Sequence, residues 1–262
     1  MFDQTCYMAS YFTNVDNSVI GCEVVYKPVA ESTNSLATNA LIGKEKDGIT
    51  FIADYQSKGR GQRGNFWESE AGKNLTFSVL TYPTFLEIYD HFYLSKVVAN
   101  GVAEALLGLN VDARIKWPND IYVEDLKIAG ILIENGLMGI SHSHSIWGVG
   151  LNVNQRVFQS DAPNPTSLVN LLGEELDRNE VLHAVLRCID GWYELLKKGS
   201  KSKIDDFYFA TLFRKDGFYE FEADGIPFKA RISSIEHTGE LVLETEEGEL
   251  RSFAFKEVSF II

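Results

Sequence analysis

Apolar residues fall into short alternating or continuous runs separated by polar, glycine-bearing stretches, with two longer blocks of helical spacing. Residues 21–29 read as a strand after an irregular first twenty, and Ser32 then stands as the N-cap of a short helix reaching about residue 41. Residues 49–55 and 75–81 are strand-like, and the stretch between them, 56–74, is polar and rich in glycine. Between 89 and 107, Phe92, Val97, Val98, Val102, Ala105 and Leu106 recur near helical spacing. Short β-like runs follow at 113–116, 128–134 and 146–152. A second helical block spans 180–213, with a break predicted at Lys198-Gly199-Ser200.

The pattern changes at Asp216-Gly217. Beyond it, Ala223-Asp224-Gly225, Thr238-Gly239 and Glu247-Gly248 are turn signals between short alternating strands. Phe218, Phe221, Phe228, Ile232, Leu241 and Leu243 supply a small core. The expected division is therefore 1–215 and 216–262, the second part a small β-barrel that needs to dock on the first because so short a segment is marginal alone. Strands with interspersed helices make the expected fold class α+β, a mixed sheet with helices packed on it.

Charge narrows the function. Against 37 acidic residues stand 24 basic ones, a net charge of −13, which argues against a dedicated nucleic-acid or membrane-surface binder. It leaves room for a local basic site for a phosphorylated ligand. No apolar run approaches the roughly 18 residues of a membrane span, and the N-terminus carries no signal-peptide pattern. The cysteines, Cys6, Cys22 and Cys188, are scattered without a C-x-x-C pair. Neither a disulfide framework nor a structural zinc site is expected, and the cytoplasm is the simplest address.

Three segments can carry chemistry. After the strand at 49–55, Gly59, Gly61 and Gly64 alternate with Arg60 and Arg63, ending at Trp67. Glycines let backbone amides approach a ligand, and guanidinium groups fork onto carboxylate or phosphate. A dinucleotide fingerprint fails here because no helix follows, and a Walker loop fails because no Gly-Lys-Ser/Thr closes the stretch. The competing reading is a solvated surface loop. Second, Lys116-Trp117-Pro118-Asn119-Asp120 precedes Lys127-Ile128-Ala129-Gly130-Ile131-Leu132. A lysine opening an apolar strand can hold its ammonium at a cleft, whereas Pro118-Asn119-Asp120 is also an ordinary turn signal. Third, Gly148-Val149-Gly150-Leu151-Asn152-Val153-Asn154 places glycines in a strand, a mark of a closely approaching ligand or of a bulge. In Ser141-His142-Ser143-His144-Ser145 the histidines could share a strand face as metal ligands, but a polar hairpin loop is the better fit.

Taken in order with Glu31-Ser32-Thr33-Asn34 and Pro165-Thr166-Ser167-Leu168, these segments resemble the biotin protein ligases, from about Val24 to the C-terminus. The resemblance implies a catalytic domain with a small SH3-like β-domain, and a two-step reaction. Biotin and ATP first give biotinyl-5′-AMP, and a lysine of a biotin carboxyl carrier protein then takes the biotinyl group. By motif match, Ser32, Thr33, Gln56, Gly59, Arg60, Lys127 and Gly130 fall to biotin, and Arg60, Arg63, Trp67, Lys116, Asn119 and Asn152 to the nucleotide. Arg60, Lys116, Lys127 and Asp120 are the implied catalytic set; Mg²⁺ is expected with the nucleotide, without a protein-held metal site. The family's bifunctional members carry a helix-turn-helix domain, for which the roughly 23 residues before Val24 are too few, so no DNA binding is expected. A homodimer is compatible with the sequence. The alternatives are a lipoate or octanoate ligase or transferase of the same superfamily, or a non-catalytic biotin- or carrier-binding protein. A transferase would need a placed catalytic cysteine, and Cys6, Cys22 and Cys188 lie outside every motif. Gln62 departs from the family's Gly-Arg-Gly-Arg form, and an arginine there would be expected to hold the intermediate more tightly.

Overall fold

The structure is a computed structural model that describes residues 11–43, 45–61, 66–138, 141–160 and 164–262. Its centre is a seven-stranded sheet in the order β1-β2-β3-β7-β6-β5-β4. These strands are β1 (Val24–Ala30), β2 (Ile49–Gln56), β3 (Leu75–Thr81), β4 (Ala113–Lys116), β5 (Asp120–Val123), β6 (Leu126–Met138) and β7 (Ser141–Leu151). β1 and β2 run parallel and the other neighbours antiparallel, so the sheet is mixed.

Period-two alternation sorts the side chains of this sheet between two layers. Ile49, Phe51, Leu80 and Ile146 pack with Ala37 of α1 (Thr33–Ala40) on one face. Ile52, Phe77, Val79, Trp147 and Val149 face the main core, where α2 (Phe92–Gly108) and α4 (Arg178–Lys197) lie. β3, covered on both faces, is buried along its whole length. α1 starts where Ser32 accepts a hydrogen bond from the Ser35 N–H at 3.1 Å, the expected cap. α4 is capped by Asp177 and buries Val181, Leu182, Val185, Leu186, Ile189, Trp192, Tyr193 and Leu196 as one stripe. It ends before Gly199, which at φ +72° turns the chain into α5 (Lys201–Ala210), as the expected break required.

At Gly101 the backbones of α2 and α4 come close together. A Cβ there would stand 2.7 Å from both the backbone N and the Cα of Ile189 on α4. Alanine normally favours a helix over glycine by about 1 kcal/mol. Overpacking against backbone, which cannot rotate away, costs about 3 kcal/mol and wins. Gly101→Ala is therefore expected to lower unfolding free energy by about 2 kcal/mol in a denaturant titration; an unchanged midpoint would show that the helices slide apart freely.

The C-terminal strands β8 (Tyr219–Ala223), β9 (Ile226–Ile235), β10 (Leu241–Thr245), β11 (Leu250–Phe253) and β12 (Ser259–Phe260) form a five-stranded antiparallel sheet, consistent with an SH3-like domain. Phe221, Ile232, Leu241 and Leu243 are buried and continuous with the main core, and Phe228 is half-buried against it. Phe218 does not join them: it is exposed, with the Arg231 guanidinium 5.6 Å from its ring. Docking is specific. The Trp117 indole N–H donates to the Gly239 carbonyl at 2.8 Å, and His237 Nε2 lies 2.9 Å from buried Asp90. The rings of Tyr122, Phe213, Phe260 and Phe221 form a contact chain from the large sheet into the small one.

One expectation about local structure is corrected: His142 and His144 lie in β7, not in a hairpin loop, because pairing with β6 draws the polar segment into the sheet. The expected turn occupies 117–119, and Asp120 follows it as the first residue of β5. Among the described residues no cluster of metal-ligating side chains occurs, and no helix is long and apolar enough to cross a membrane.

Candidate functional site

One face of β6 and β7 forms the floor of a cleft of about 760 Å³. Register sets Gly130 opposite Gly150 and Leu132 opposite Gly148, so the glycine pair leaves bare backbone in the middle of the sheet. Trp67 covers that gap. A Cβ on Gly150 would lie 2.3 Å from the indole Cε2, and one on Gly130 3.0 Å from Cζ3. Trp67 itself is held by its backbone N–H on the Gly59 carbonyl, while its buried indole nitrogen makes no hydrogen bond.

The N-terminus of α1 supplies a polar end. The backbone N–H of Thr33 donates to Gln56 Oε1 at 2.7 Å, and the Ser78 hydroxyl lies 2.7 Å from Thr33 Oγ1 and 2.6 Å from Asn34 Oδ1. Next to it, Arg60 meets Glu134 in a fork, with Nη1 and Nη2 each donating at 3.1 Å to one carboxylate oxygen. Asn34 donates to the same carboxylate at 2.6 Å.

Cations gather on the β4–β5–β6 side. Lys127 Nζ is 2.7 Å from Asp120 and 5.8 Å from the centre of a Trp67 ring. The Lys127 backbone is fixed by the segment at Pro165, through its N–H on the Asn164 carbonyl and its carbonyl receiving the Thr166 N–H. Lys116 lies over the rings of Tyr122 and Phe260 at 4.8 and 5.4 Å. Burial depresses its pKa, and the charges of Lys127 and Arg214 add to that, against the opposing pull of Asp120. A lysine so placed gains from an arriving anion. Asn119 donates to the Ile131 carbonyl; Asn152 donates to the Thr166 carbonyl at 2.9 Å, leaving its buried Oδ1 without a partner.

The structure thus brings Ser32, Thr33, Gln56, Arg60, Trp67, Lys116, Asn119, Asp120, Lys127, Gly130 and Asn152 to one cleft. Gly59 does not line it and supports Trp67 from behind. Arg63 and Gln62 lie outside the described residues, so their expected roles have no structural counterpart here. Sequence reasoning missed the wall at Phe255, Val258 and Phe260, and Glu134 and Ser78, which stand behind the lining and bond to its residues Arg60, Asn34 and Thr33. Glu134 shares the β6 face with Gly130 and Leu132, a signal legible from the alternation alone. Ser78 was readable as a hydroxyl inside an apolar strand.

Among described residues the thiols stand apart from this cleft. Burial pushes Cys188 up to about 11 and raises Cys22 as well, which suits packing and not nucleophilic attack. Cys6 is outside the described residues.

Residues 26–152 match the model of the biotin/lipoate A/B protein ligase family. The bifunctional ligase/repressor BirA of Bacillus spizizenii is 29% identical over 88% of this chain and 72% of its own length. A biotin–[acetyl-CoA-carboxylase] ligase of Mycobacterium tuberculosis is 32% identical over 60% of this chain and 58% of its own. A solved structure, biotin protein ligase from Aquifex aeolicus in complex with biotin and ATP, superposes with a TM-score of 0.76 at 27% identity, covering 90% of this chain and 97% of that one. In sequence and in fold the chain is thus similar to the biotin protein ligases. It spans between 55% and 72% of the length of the first curated relatives it matches.

Among the described residues the donor set does not build a protein cage for magnesium. Asp120 is engaged by Lys127, and Glu134 by Arg60 and Asn34. A magnesium ion arriving with a nucleotide would be held chiefly by the phosphates.

Proposed function

We propose that this protein joins biotin to ATP as biotinyl-5′-AMP and passes the biotinyl group to a lysine of a biotin carboxyl carrier protein, that of an acetyl-CoA carboxylase. The observation that carries this reading is the placement of Arg60, Lys116 and Lys127 around one glycine floor that ends in the Thr33–Gln56 polar pair. Biotin is an apolar bicycle with a ureido group at one end and a carboxylate on a flexible arm. Thr33, Gln56 and Ser32 suit the ureido end, and the Trp67 indole, seated on the bare backbone of Gly130 and Gly150, offers a flat face to the adenylate.

In the first step a biotin carboxylate oxygen attacks the α-phosphorus and pyrophosphate leaves. Two anions must meet, so fixed cations lower the barrier by opposing their repulsion. Arg60 and Lys127 stand at the carboxylate, Lys116 with Asn119 and Asn152 at the nucleotide, and Asp120 orients Lys127 through their ion pair. In the second step the neutral amine of the carrier lysine attacks the acyl carbon, AMP leaves, and the amine loses a proton. No covalent enzyme intermediate is needed. Residues 1–215 form the biotin- and ATP-binding unit in this reading, and 216–262 close its outer wall.

Incorporation of labelled pyrophosphate into ATP tests the first step. The expected outcome is exchange that depends on biotin and is absent with lipoate or octanoate. Exchange supported by lipoate or octanoate and not by biotin moves the protein to the other branch of the family.

A further inference from the structure

We infer that Glu134 is a positioning residue that aims the Arg60 guanidinium at the anionic part of the ligand; this rests on the adenylation reading above. An exposed ion pair ordinarily contributes little, and Arg60 and Glu134 are 42% and 39% exposed. What sets this pair apart is that one partner is fixed. Glu134 projects from β6, and its Oε2 accepts from Asn34, which is 5% exposed. The Asn34 amide oxygen is within 2.6 Å of the hydroxyl of fully buried Ser78. Gly148 leaves the space that Asn34 fills, since a Cβ there would be 2.2 Å from the Asn34 oxygen.

Arg60, in contrast, stands beyond the end of β2, where it bridges Phe66. A rigid carboxylate meeting it through both terminal nitrogens sets the plane of the guanidinium as well as its place. The fork uses two of five N–H donors, leaving the others for a carboxylate or phosphate oxygen. The Ser78 hydroxyl also reaches Thr33, which bonds Gln56, so the polar end of the cleft and its arginine share one hydrogen-bonded chain.

The test is a double-variant cycle on the full chain, read as kcat/KM for biotin in pyrophosphate exchange, with melting curves for each protein. Glu134→Gln keeps size but loses the charged fork and is expected to lower kcat/KM about tenfold, in line with one charge-assisted contact. Arg60→Lys keeps a cation that cannot be forked. In that background Glu134→Gln is expected to have less than a twofold further effect. Should Glu134→Gln fail to fold, Glu134→Asp carries the same cycle, since its retracted carboxylate also loses the fork. Fold-losses that simply multiply overturn the role of Glu134, as does an unchanged kcat/KM in the single variant. A wild type without biotin-dependent exchange instead overturns the adenylation reading itself.

Discussion

Lys127→Ala is expected to slow biotin-dependent pyrophosphate exchange by two to three orders of magnitude while the protein stays folded. A fixed charge opposing charge build-up in a transition state contributes about 2.7–4 kcal/mol. The structural cost is small by comparison. Lys127 is a quarter exposed, its backbone bonds to Asn164 and Thr166 survive the substitution, and the Asp120 carboxylate left behind is about a third exposed and can be hydrated. Exchange rates at saturating biotin and ATP, with a melting curve beside them, separate the two effects. A folded Lys127→Ala protein with unchanged exchange would remove this lysine from the chemistry.

The second large effect is expected at Gly150. An added methyl would overlap the Trp67 indole at 2.3 Å, and the indole has no hydrogen bond from its ring nitrogen to hold it in place. Strand backbone itself accepts alanine at least as well as glycine. The consequence therefore falls on the cleft: Trp67 must leave its position over Gly130 and Gly150, and kcat/KM for ATP is expected to drop at least about tenfold, the equivalent of about 1.4 kcal/mol. Gly191→Ala on α4 is the control, because nothing lies within 4 Å of its new Cβ. Wild-type kinetics in Gly150→Ala would mean that the position of Trp67 does not matter to the nucleotide.

Much of this arrangement was readable because local rules and tertiary structure agree. Ser32 caps, Gly199 breaks, and the apolar stripe of α2 is buried residue for residue at Phe92, Val97, Val98, Val102, Ala105 and Leu106. Where reading failed, a partner distant in sequence decided. The strand at Asp120–Val123 has only four residues and exists through pairing with β4 and β6. The serine- and histidine-rich start of β7 is a strand for the same reason. α3 (Leu168–Leu172), ended by Gly173 at φ +86°, is too short to show a period. Glu134 could be placed on the cleft face by alternation. Its fork to Arg60 spans 74 positions and needs the β2 loop folded over β6, which no local pattern encodes.

The central claim is best tested by following labelled biotin onto a purified carrier domain with the full chain present. Label on the carrier lysine only when ATP is supplied, and none when that lysine is replaced by arginine, is the predicted result. Adenylate formed without any transfer to the carrier, or label bound equally with and without ATP, would contradict it.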